Sequence, residues 1–137
     1  MIFFAQYELL EMFPNGLDVG LLDGMHHFEY LLRDFINTER CCRQHSLILL
    51  HDCLPINIRM AERELRFDPD EAEETRMWWT GDVWRLLPAL KKYRPELRVT
   101  FLDCPPTGLV AITNLDPQSA ILQQEYRLVV DEFGAVG

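Results

Sequence analysis

Leu17-Asp18-Val19-Gly20-Leu21-Leu22-Asp23-Gly24 and Ser46-Leu47-Ile48-Leu49-Leu50-His51-Asp52-Cys53-Leu54-Pro55 are the stretches whose reading decides the fold. Each is a short apolar run that closes on an acid and a turn, the pattern of a strand buried on both faces. Pro55 takes the second run out of any sheet interior. Between them Phe28, Leu31, Leu32, Phe35 and Ile36 recur at helical spacing. Glu29 lies in the first turn of that helix and Arg40 and Arg43 near its end, where each suits the helix dipole. Strand, helix and strand within about forty residues make a βαβ unit, whose strands are parallel and whose crossover is right-handed. Asp23, His26 and His27 therefore share one sheet edge with His51 and Asp52.

Outward from this unit the chain is rich in charge from Ile56 to Met77. A short helix is expected over 57–65. A second is expected over 69–77, where Asp68-Pro69-Asp70-Glu71 supplies a capping acid, a first-turn proline and a third-position carboxylate. Thr80 reads as the cap of a third helix with Val83, Leu86, Leu87 and Leu90 on its apolar face, Lys91, Lys92 and Arg94 at its end, and Pro95 as its stop. Pro88 inside it predicts a kink. Arg98 to Leu102 and Leu109 to Thr113 alternate as strands. The turn Pro105-Pro106-Thr107-Gly108 joins them too closely for anything but an antiparallel pair. A helix within Gln118 to Val130 completes an α/β chain.

The length of 137 residues sets one domain as the ceiling. A formal charge of −9 provides no basic stripe for phosphates, which disfavours sequence-independent nucleic-acid binding and attraction to anionic membranes. No run reaches the roughly 18 apolar residues of a spanning helix, and Met1 to Ala5 lacks the basic flank of a secretory signal. Cysteines 41, 42, 53 and 104 form no CxxC pair. They read as reduced core thiols of a cytoplasmic protein.

Ligands of open α/β sheets collect beyond the carboxyl ends of the strands, where turns expose amides and helix N-termini. Two aspartates from adjacent strand ends with an imidazole make a partial shell for a hard divalent cation. Such a cation orients an acceptor hydroxyl and lowers its pKa. His26 or His27 has the side-chain chemistry of a general base. The plainer reading is that Asp23 and Asp52 only cap helices or bind turn amides. His45 reads as a solvated turn residue. Trp79 and Trp84, within Met77-Trp78-Trp79-Thr80-Gly81-Asp82-Val83-Trp84, either wall a substrate pocket or cover the core.

Four blocks carry a family resemblance: Leu21 to Glu29, Leu49 to Pro55, Trp79 to Trp84, and Pro105 to Leu109. Together they resemble the carboxyl-terminal half of class I S-adenosylmethionine-dependent methyltransferases, in the small-molecule and sugar O-methyltransferase-like branch. The resemblance runs from about Leu17 to Asp116. It implies strands four to seven of a Rossmann-like, seven-stranded sheet: two parallel strands with their crossover helix, then an antiparallel hairpin. Residues 1–16 would be an amino-terminal remnant and 117–137 a tail of one truncated domain.

The resemblance also implies roles. Asp23, His51 and Asp52 would hold magnesium, Asp23 and Gly24 would face the cofactor, and His26 or His27 would deprotonate the acceptor. Trp79 and Trp84 would line the acceptor pocket. Histidine at 51, where an acid or neutral residue is commoner, leaves a metal-free, His-assisted mechanism open. The implied reaction is in-line methyl transfer from sulfonium sulfur to a hydroxyl of a small molecule or sugar. The family's Gly-rich cofactor turn would precede Leu17, and residues 1–16 have no room for it, so the chain is expected to be incomplete alone. The strand over 17–22 then becomes an apolar edge that seeks a second copy or a partner chain. Two other functions compete: a non-catalytic interaction module, and a metal-dependent hydrolase using Asp23 and Asp52.

Overall fold

The structure is a computed structural model that describes residues 11–66, 69–70 and 78–134. Strand β1 (Leu17–Leu22) leads through a short turn into helix α1 (Phe28–Cys41), which passes directly into β2 (Cys42–His51). A single 3-10 turn (Val83–Arg85) opens α2 (Leu86–Tyr93). Strands β3 (Arg98–Leu102) and β4 (Leu109–Thr113) follow, then the short helices α3 (Ile121–Gln124) and α4 (Tyr126–Phe133). The strands form one sheet in the order β1-β2-β4-β3. β1 and β2 are parallel, with Leu22 beside Leu50. β2 and β4 are antiparallel, as are β4 and β3. This is a mixed α/β fold with one parallel pair, and the β3–β4 hairpin inserts its second strand next to β2.

The crossover forms because its sequence buries one stripe. Phe28, Leu31, Leu32 and Phe35 pack with Leu86, Ala89 and Leu90 of α2, and with Leu122 and Val129 from the tail, onto Ile48, Leu50, Val110 and Ile112 of the sheet. Those four sheet residues alternate with others whose side chains point to the opposite face. There Leu47, Leu49, Leu109 and Ala111 are half-buried, while Val19 and Leu21 are 55% and 62% exposed. The expectation that β1 is buried on both faces is therefore corrected. It is an edge strand, and among the described residues every helix packs on one side of the sheet.

Two local expectations also change. Residues 57–65 form successive turns rather than a helix, because the carbonyls of Met60, Ala61 and Glu62 accept from Thr80, Trp84 and Trp79. Thr80 caps nothing: its hydroxyl and amide both bond the Met60 carbonyl, at 2.7 and 2.9 Å. The helix itself starts later than expected, at Leu86. Pro88 thus falls in the first turn, where no intrahelical N–H is required. The helix expected over 69–77 falls largely on residues 71–77, outside the described residues. Within the tail the ragged apolar spacing resolves into two short helices divided at Glu125.

The cysteines are free, with Cys41, Cys42 and Cys53 buried and Cys104 exposed. Burial pushes the Cys42 thiol up to about 11 and the Cys53 thiol up to about 12. No helix among the described residues is long and apolar enough to cross a membrane.

Candidate functional site

Parallel pairing of β1 and β2 brings their carboxyl ends side by side, and with them the acids and imidazoles that follow. Ligand atoms of Asp23, His51 and Asp52 all lie within 4.8 Å of one another. His51 Nδ1 is 3.1 Å from Asp52 Oδ2 and 3.4 Å from Asp23 Oδ1. These separations suit an ion pair, but the angles do not make a hydrogen bond, and His51 Nδ1 is a buried nitrogen without such a partner. Three donors that converge without bonding one another fit a cation held between them. Two carboxylate oxygens and one imidazole nitrogen match manganese at least as well as magnesium.

Asp52 is held in an uncommon backbone state. Its φ is +60°, a left-handed conformation that costs a non-glycine residue on the order of 1 kcal/mol, though aspartate tolerates it better than most. The next residues are tied down, since the Leu54 amide bonds the Thr107 carbonyl at 3.1 Å. Among the described residues no backbone amide donates to Asp23 or Asp52, so the plain reading of these acids as turn caps has no support in the geometry. Asp52 is only 10% exposed at its side chain and Asp23 52%. One acid thus faces the interior of the cluster and the other faces solvent.

His26 completes the group. Its Nδ1 lies 2.8 Å from the Trp79 carbonyl. A carbonyl only accepts, so Nδ1 carries a hydrogen and donates it. The other nitrogen, Nε2, faces Asp52 Oδ2 at 3.2 Å. In the neutral ring a lone pair would meet a carboxylate there, which is repulsive. A cation held against Asp52 and its neighbours relieves that repulsion and leaves the Nε2 lone pair free. The Trp79 ring lies against the His26 ring, with centroids 4.9 Å apart.

His27 stands apart from the cluster. It precedes α1, with Nε2 3.9 Å from Glu64 and the Trp79 ring edge-on at 6.5 Å. Gly24 follows β1 and is half-buried, and it is not among the described glycines with positive φ. Trp79 and Trp84 both grip the 57–66 loop, donating their indole N–H groups to the carbonyls of Glu62 at 2.7 Å and Ala61 at 3.3 Å. Trp79 therefore borders His26, whereas Trp84 contacts the loop and the Arg85 guanidinium, 5.2 Å from its ring centroid.

The device that positions His26 lies in Thr80-Gly81-Asp82, whose role is not legible from the sequence. Gly81 has φ +63°, and a Cβ there would fall 1.8 Å from the His26 carbonyl oxygen. Only glycine permits this approach. The Asp82 amide bonds the same carbonyl at 3.2 Å, and its fully buried carboxylate accepts the Phe28 amide at 2.7 Å. Asp82 thus caps α1 from a distant loop, since the local N-cap position, His27, makes no side-chain cap bond. Arg63 bonds the other Asp82 oxygen at 2.9 Å and also pairs with Glu29. The Arg63 guanidinium, outweighing the effect of partial burial, holds the Glu29 carboxyl below its usual range. A Gly-Asp pair after adjacent tryptophans is the only sequence signal for this strap.

Neither a protein-family model nor a curated protein nor a solved structure matches the chain.

Proposed function

We propose that this chain is the acceptor-activating part of an S-adenosylmethionine-dependent methyltransferase that acts on a hydroxyl of a small molecule or sugar. The single observation that carries the reading is the convergence of Asp23, His51 and Asp52 at two adjacent parallel strand ends, with His26 beside Asp52. These are the places the family resemblance assigns to the metal and the base. The sheet supports it as well, since two parallel strands joined by a crossover helix and followed by an antiparallel hairpin are what the resemblance implies.

Asp23, His51 and Asp52 would hold a divalent cation, which supplies Lewis-acid stabilisation for an acceptor alkoxide. His26 takes the acceptor proton at Nε2. Asp52, at 3.2 Å, then stabilises the imidazolium that forms, and the Trp79 carbonyl keeps the ring in one tautomer and orientation. Trp79 shields this proton transfer from water on one side. The described residues fit the sulfonium cofactor only in part. Asp23 and Gly24 are available at the end of β1, but no glycine-rich turn from strand to helix occurs among the described residues. No step is therefore assigned to the cofactor in this chain.

A second reading rests on the same donor set, because two carboxylates and an imidazole also suit metal-dependent hydrolysis. Calorimetric titration of the manganese-loaded chain with S-adenosylmethionine separates the readings. A binding heat that Asp23→Ala weakens supports methyl transfer. Metal-dependent ester cleavage without cofactor moves the assignment to hydrolysis. No heat at millimolar cofactor and no cleavage contradict both, and leave a non-catalytic interaction module.

A further inference from the structure

The open face of the sheet carries opposite charges at opposite corners. β1 and β3 are its two edges and run in the same direction, since β3 is antiparallel to β4 and β4 to β2. Asp23, in line with Val19 and Leu21 by strand alternation, ends the face at the carboxyl corner of β1. Arg98, paired with Thr113, begins it at the amino corner of β3. Arg98 shares a recess of about 350 Å³ with Gln44, His45, Thr113 and Asn114, and no carboxylate among the described residues pairs with it. The middle of the face is mostly apolar, with exposed Val19, Leu21, Thr100 and Leu102 around half-buried Leu47, Leu49, Leu109 and Ala111.

A face with acid at one corner, base at the diagonal corner and an apolar centre is complementary to itself. We infer that a second copy of this chain docks here face to face, with the partner's Arg98 lying over Asp23 and Arg98 over the partner's Asp23. A two-fold axis in the plane of the face, along its other diagonal, swaps these corners and crosses the two sets of strands at nearly a right angle. That crossing is one of the two ordinary ways sheets pack. Rotational symmetry makes every contact occur twice, so the other carboxylate oxygen of each Asp23, Oδ2, gains a guanidinium from the partner while Oδ1 stays with His51, and the apolar centre leaves water. The inference does not depend on methyl transfer.

Sedimentation equilibrium of the full chain over roughly 1 to 100 µM tests it, the range that brackets a micromolar dissociation constant. The parent should dimerise reversibly. Arg98→Glu and Asp23→Arg should each weaken the dimer about tenfold or more, since each change places like charges together at both ends of the interface. Their equimolar mixture should recover the parent affinity, because a mixed dimer has opposite charges at both corners. Circular dichroism checks that each variant is folded. A parent that stays monomeric at 100 µM, variants that dimerise like the parent, or a mixture no tighter than its components would each overturn the inference. The first would leave the face to a different chain, and the second would place dimerisation at the free β1 edge.

Discussion

Asp82→Ala removes one side chain that acts on two elements, and its cost follows from what each loses. The Phe28 amide, in a fully buried residue, loses its acceptor at 2.7 Å. Loss of a helix cap costs about 1 kcal/mol, and leaving a buried donor unsatisfied raises that toward about 1.5 kcal/mol. Arg63 loses a partner at 2.9 Å but keeps Glu29 and is partly exposed, so this second loss is discounted to about 0.5 kcal/mol. The total is about 2 kcal/mol, which lowers the melting temperature of a chain this size by roughly 4–8 °C. Asp82→Asn keeps an acceptor for Phe28 and loses mainly the charge, so it should cost less than half as much. Chemical and thermal unfolding of the three proteins provide the assay. Asp82→Ala within about 0.5 kcal/mol of the parent, or Asp82→Asn as damaging as Asp82→Ala, would refute the assignment of Asp82 as the cap of α1.

Other expectations concern the strap, the acid limb of stability, and the thiols. Gly81→Ala should destabilise by more than about 2 kcal/mol, because its Cβ meets the His26 carbonyl at 1.8 Å and its φ is +63°; a folded, equally stable variant in urea titration would contradict this. The Glu29 carboxyl is held below its usual range by Arg63, so its share of stability is full above pH 4.5 and is lost as pH falls through its lower folded value. The unfolding free energies of the parent and Glu29→Gln should therefore converge as pH falls, and a gap that persists unchanged down to the lowest pH at which the parent stays folded would sink the assignment. Brief alkylation at neutral pH should label Cys104 first, since Cys42 and Cys53 are buried with thiols raised to about 11 and about 12; peptide mass spectrometry showing equal labelling of Cys53 would count against the packed core.

Features set by local pattern were legible in the sequence. The apolar runs at 17–22 and 46–50 with an amphipathic stretch between them specify the parallel pair, and that pairing alone juxtaposes Asp23 with His51 and Asp52. The four-residue turn at 105–108 likewise dictates the antiparallel hairpin. Features set by long-range contact were not legible. Residues 57–65 have helical composition, but tertiary bonds from Thr80, Trp79 and Trp84 to the carbonyls of Met60, Glu62 and Ala61 hold them as turns. The openness of β1 was hidden because an apolar run does not reveal whether both of its faces are covered. Asp82 looked like part of an aromatic block, and only the fold brings it to the amino end of α1. His26 and Asp52 are twenty-six positions apart in the sequence, and their pairing emerges from the strap that turns the imidazole toward the second strand.

On the proposed reading, Asp23, His51 and Asp52 form a cation site next to a histidine base. Titration of the chain with manganese, read by the loss of free-ion paramagnetic resonance signal, tests it most directly. One ion per chain is expected, bound at least about tenfold more weakly after Asp52→Ala, Asp23→Ala or His51→Ala, and bound as in the parent after His45→Ala. No binding at millimolar manganese, or binding that survives Asp52→Ala unchanged, would contradict it.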